Sequence, residues 1–151
     1  MKRSGRKTIR VLAGAYAAAL AAVSLLPSGA ETFGGWDRRI APTVQNAVHV
    51  PAYALLVILA VSALSPAGAF RGRTLAWVAI ACCLFGLVLE IAQAAIPGRV
   101  FSWVDGLLNL LGVAVGAVAA TLWRRGVRRR LAPDGAGGTG SEAPCDARPM
   151  P

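Results

Sequence analysis

A few polar residues stand inside long apolar stretches, and their spacing is helical. Glu90 and Gln93 are three positions apart, which puts them on one face of a helix. Asp105 and Asn109 are four apart, and Gly112 and Gly116 continue that stripe. Asn46, His49 and Tyr53 share a third face. Such a set offers proton transfer and polar recognition. Glu90 and Asp105 form a candidate acid/base pair, with His49 as an alternative base because imidazole exchanges protons near neutral pH. Gln93, Asn109 and Tyr53 are candidate hydrogen-bonding groups for a ligand. Arg99 suits a phosphate or a carboxylate. Ser102 is a binding candidate beside them.

Each residue also has a plainer reading. A glutamate inside an apolar run can simply be held by neighbouring helices or by an arginine. Ser102 followed three positions later by Asp105 is a variant of the capping box that starts a helix. A histidine near a membrane surface is often a satisfied interfacial residue. The glycines suit close helix packing. No nucleophile elbow, metal-ligand spacing or phosphate loop accompanies the set, so neither a metal nor another cofactor is implied.

Four apolar segments must position these residues: Ile9–Leu26, about Ala47–Leu64, Leu75–Ile96 and about Val104–Trp123. Each is long enough, at about 1.5 Å per residue, to cross a hydrocarbon core of about 30 Å. The expected fold class is all-α, a polytopic membrane protein with about four transmembrane helices. Lipid offers the backbone no partner, so helix is the default. An acid at the membrane centre costs roughly 2.5–3.5 kcal/mol, so Glu90 requires a partner or a proton. The short turn 97–103 makes the third and fourth helices antiparallel neighbours. That connection gathers Glu90, Gln93, Arg99, Asp105 and Asn109. His49 joins them only if the second helix packs alongside.

Composition agrees. Of 151 residues, 56% are hydrophobic and 15% charged, and the mean hydropathy is +0.56. A soluble domain runs nearer a quarter charged. A soluble enzyme core, a disulfide scaffold and a disordered chain are excluded as the main reading. The net charge of +9 sits beside apolar segments, where basic residues set topology and meet anionic lipid, so membrane lipids rather than nucleic acid are the expected partners. Thirteen of the sixteen basic residues fall in the N-terminus, the 66–74 loop and the C-terminal segment. The positive-inside rule then places both termini in the cytoplasm and the polar cluster at the outer face. Trp36, Trp77, Trp103 and Trp123 lie near segment ends, as an aromatic belt requires. Cys82 and Cys83 read as small packing residues, and Cys145 lies alone. The chain divides into a basic cytoplasmic N-terminus (1–8), a transmembrane domain (9–123) and a basic, then disordered, cytoplasmic tail (124–151). Residues 1–30 have a rival reading as a cleaved signal peptide, although the apolar run is longer than a signal core.

In order, Gly86, Glu90, Gln93, Pro97, Arg99, Ser102, Asp105, Asn109, Gly112 and Gly116 resemble the signature of VanZ-like proteins. His49, Tyr53 and Leu56 add to the likeness, which covers roughly 9–123. Where that family often has an Asp-Lys pair before the histidine, this chain has Gln45 and Asn46. The resemblance implies a small helical bundle in the bacterial cytoplasmic membrane. It also implies a role in the cell envelope connected with tolerance of teicoplanin, a lipid-bearing glycopeptide antibiotic. The partner expected is then a lipid-linked cell-wall precursor or a lipoglycopeptide, held at an outward-facing polar pocket. Two alternatives stay open. One is a membrane-embedded enzyme using Glu90, Asp105 and His49 on a lipid head group; the other is a structural or accessory subunit.

Overall fold

Apolar sequence with no water beside it must hydrogen-bond its backbone internally, and helix does this within one segment. The computed structural model describes residues 3–26, 47–65, 72–96 and 101–131. Among them lie four helices: α1 (Arg3–Ser24), α2 (His49–Leu64), α3 (Gly72–Ala94) and α4 (Trp103–Leu131). The all-helical expectation holds. Two helices are long and apolar enough to cross a membrane unaided, Gly72–Ala94 and Trp103–Val127. The other two fall short for different reasons. With 16 residues α2 reaches only about 24 Å. In α1, Arg6, Lys7 and Arg10 occupy the first half and shorten the apolar part.

Ser102 starts α4 as anticipated. Its Oγ accepts the N–H of Asp105 at 3.2 Å, and its carbonyl accepts that of Gly106 at 3.1 Å. Pro51 lies in the first turn of α2, where a missing N–H breaks no helical bond, so it starts the helix rather than kinking it.

The most extensive interface is between α2 and α4, which run parallel. Small residues make it possible. A Cβ on Gly112 would stand 2.6 Å from the Val50 carbonyl oxygen, and one on Gly116 the same distance from that of Ala54. Only glycine admits backbones this close, and close approach is the main source of association where lipid is as apolar as leucine. Between the helices lies a core of Tyr53, Leu56, Val57, Val61, Val78, Cys82, Val113 and Ala120. Cys82 is buried there as a packing residue.

α1 lies across α2. The Tyr16 hydroxyl donates to the Ala52 carbonyl at 3.1 Å. Arg10 donates from Nε to the Ala63 carbonyl at 3.3 Å, and Arg124 of α4 donates from Nη2 to the Val61 carbonyl at 3.1 Å. The last turn of α2 holds no basic residue of its own. Cations from two other helices meet carbonyls there: Arg10 reaches that of Ala63, and Arg124 adds a second donor to that of Val61, which also accepts the Ser65 N–H at 3.0 Å.

Polarity is inverted relative to a water-soluble domain. Leu84, Leu87, Val88 and Ile91 of α3 and Leu107, Leu111, Val115 and Val118 of α4 are exposed, while Glu90, Gln93 and Asn109 are buried. An apolar surface of this extent around a polar interior belongs to a membrane protein. Trp103 and Trp123, both 77% exposed, lie twenty residues apart on α4. That spacing is about 30 Å, the thickness of a hydrocarbon core. Trp36, Cys145, Pro97 and Arg99 lie outside the described residues.

Candidate functional site

The polar residues meet where α3 ends and α2 and α4 begin. Glu90 lies in the last turns of α3 and is 2% exposed. A carboxyl this deep needs donors, and α4 supplies one. Asn109 Nδ2 donates to Glu90 Oε1 at 3.3 Å. The amide then has only Oδ1 to offer on its other side, and His49 takes it, its Nδ1 at 2.8 Å. Because an amide oxygen only accepts, the Nδ1 position carries the hydrogen. In the neutral ring this leaves Nε2 as a free acceptor. One residue from each of three helices thus forms a single chain, His49 to Asn109 to Glu90. The packing of α2 against α4 brings His49 into the cluster.

Two acceptor atoms remain without a hydrogen bond, Glu90 Oε2 and Asp105 Oδ1, and both are buried. Asp105 is close enough to act electrostatically on Glu90, as is His49. Capping occupies the Asp105 backbone and the Ser102 hydroxyl but leaves this carboxyl oxygen over. Each lone acceptor inside a low-dielectric interior is costly unless a donor reaches it. Among the described residues, the Asn109 amide and the Ser102 backbone N–H act as donors to the Glu90 carboxyl, and Glu90 Oε2 and Asp105 Oδ1 are left over as acceptors. Among the described residues, no group of three His, Cys, Asp or Glu side chains is placed to hold a metal ion.

The remaining candidates divide. Tyr53 is buried beside the chain, with its ring and hydroxyl against Gly86. A Cβ at Gly86 would meet Tyr53 Cε1 at 3.1 Å, the Tyr53 hydroxyl at 3.2 Å and Asn109 Nδ2 at 3.3 Å, so this glycine keeps the room they occupy. Gln93 shares the Glu90 face but turns to α1, donating from Nε2 to the Ser24 carbonyl at 2.8 Å. It ties the end of α1 to α3 and does not extend the chain. The sequence carried no sign of Ser24, because any carbonyl in a last helical turn is free to accept. Phe101 and Trp103 pack edge to face at 4.8 Å just before and at the start of α4.

The family model described as VanZ/LLP1 matches residues 13–124, which include every helix residue of the cluster. No curated protein and no solved structure matches the chain. With most of its length covered by the model, the chain belongs to the VanZ/LLP1 family.

Proposed function

We propose that this chain is a multi-pass protein of the bacterial cytoplasmic membrane that contributes to tolerance of teicoplanin-type glycopeptides. In this reading the His49–Asn109–Glu90 end faces outward and engages a lipid-linked or lipophilic molecule. The observation that carries the reading is the pair of buried, unpartnered acceptors, Glu90 Oε2 and Asp105 Oδ1. Acceptors without donors call for a ligand rich in N–H and O–H groups. Peptide amides, sugar hydroxyls and amines meet that need, and glycopeptides and cell-wall precursors carry all three. The basic residues at the opposite ends of the helices support the orientation.

One observation favours a second reading. The chain through Asn109 fixes the His49 tautomer and leaves Nε2 as an oriented base, as an acid/base enzyme requires. Teicoplanin susceptibility of a deletion strain carrying wild type, Glu90→Gln or no insert tests the main reading, with membrane levels matched by blot. Wild type is expected to raise tolerance and Glu90→Gln to lose most of the gain. Equal tolerance from both makes Glu90 structural. No effect of either removes glycopeptides from the reading.

A further inference from the structure

A second feature lies at the opposite end of the molecule from the polar chain. Because α1 and α3 barely touch, an open groove of about 900 Å³ runs between them. That volume is within the usual range of ligand sites, roughly 300–1,000 Å³. Leu56 and Ala60 of α2 form its floor, Ala17 of α1 one wall, and Trp77 and Phe85 of α3 the other. From Phe85 to Arg73 the groove follows α3 for about 18 Å, along the direction of a lipid chain. Arg73 and Thr74 are the polar residues at its mouth.

Charge says what belongs there. The described acidic residues are Glu90 and Asp105, both at the other end. At the same end of the bundle stand Arg6, Lys7, Arg10, Arg73, Arg124 and Arg125, and of these Arg73 lines the groove. Arg10 and Arg124 are engaged on α2 carbonyls. Arg73 is exposed, and among the described residues no carboxylate lies near to neutralise it. An apolar channel with one cation at its mouth complements one acyl chain with one phosphate.

We infer that the groove binds an anionic phospholipid, its acyl chain lying along Leu56, Ala60 and Phe85 and its phosphate held by Arg73 and the Thr74 hydroxyl. The site is separate from the polar chain and does not depend on the reading given to it. Native mass spectrometry of the full chain, released from nanodiscs of equal phosphatidylglycerol and phosphatidylcholine, tests it. Wild type is expected to retain one phosphatidylglycerol. Ala81→Trp puts a bulky ring into the groove from an exposed position, and a loss of retention of at least tenfold is expected. Ala17→Trp repeats the block from the facing wall. Arg73→Gln is expected to keep a bound lipid but lose about fivefold of the preference for phosphatidylglycerol, the worth of one basic residue near an anionic surface. Arg125→Gln, outside the groove, is expected to change neither. Retention by both tryptophan variants overturns the proposal, as does an equal effect of Arg73→Gln and Arg125→Gln. A stripped protein that dimerises with the groove covered assigns it to a second copy and overturns it too.

Discussion

At the scale of single residues, the polar chain is expensive and its expense is informative. Hydrogen bonds between membrane helices are worth little on average, about 0.6 kcal/mol, while a buried group left without its partner costs about 1–3 kcal/mol. Asn109 satisfies Glu90 and orients His49. Asn109→Ala is therefore expected to destabilise by about 1–3 kcal/mol, most of it from the exposed need of Glu90. Replacing both partners by apolar groups is often neutral or stabilising. The double variant Glu90→Leu/Asn109→Ala is accordingly expected to be more stable than Asn109→Ala alone, and inactive. Reversible unfolding in bicelles measures this. A double variant no more stable than the single one would mean that Glu90 is held for structure. The residue scale was partly legible in the sequence. Glu90, Asp105 and Asn109 stood out as polar residues at helical spacing. The His49–Asn109 bond did not, because spacing within a helix says nothing of which helix lies opposite. Gln93 shows the converse, since it shares the Glu90 face and still reaches another helix.

At the scale of elements, glycine position decides how α2, α3 and α4 meet. The stripe of Gly112 and Gly116 was readable as a packing face, and the structure puts it against α2. What sits across from each glycine predicts how a methyl group is tolerated. At Gly112 the obstacle is the Val50 backbone carbonyl at 2.6 Å, which cannot rotate away. Gly112→Ala must push the helices apart, at a cost of about 1–3 kcal/mol. Gly106 faces nothing within 4 Å. Gly106→Ala is expected to be neutral or to stabilise by up to about 1 kcal/mol, through helix propensity. Gly86 lies between these cases. Its obstacles are the ring of Tyr53 and the Asn109 amide, side chains that can give by a few tenths of an ångström. Gly86→Ala is thus expected to keep most of the stability while displacing Asn109, so tolerance falls more than folding does. Unfolding midpoints and susceptibility measured on the same three variants separate packing from function. Equal stability losses at Gly112 and Gly106 would contradict the close approach of α2 and α4.

At the scale of the whole molecule, the described charges are sorted by end. Glu90 and Asp105 stand where α3 ends and α4 begins; Arg6, Lys7, Arg10, Arg73, Arg124 and Arg125 stand at the other end. This sorting was legible from the basic residues flanking apolar segments. The number of unaided spans was less so, because an apolar stretch in sequence need not form one continuous helix. The sorting also predicts orientation. Positive charge stays on the cytoplasmic side during insertion, so the end bearing Arg124 and Arg125 is expected inside and the start of α4 outside. In a background with Cys82, Cys83 and Cys145 replaced by alanine, Trp103→Cys is expected to react with a membrane-impermeant maleimide on intact cells. Arg125→Cys is expected to react only after permeabilisation. The reverse pattern would turn the polar chain toward the cytoplasm, where a glycopeptide confined to the outer surface could not reach it. The groove by Arg73 would then face the outer leaflet, and its phospholipid would be drawn from there.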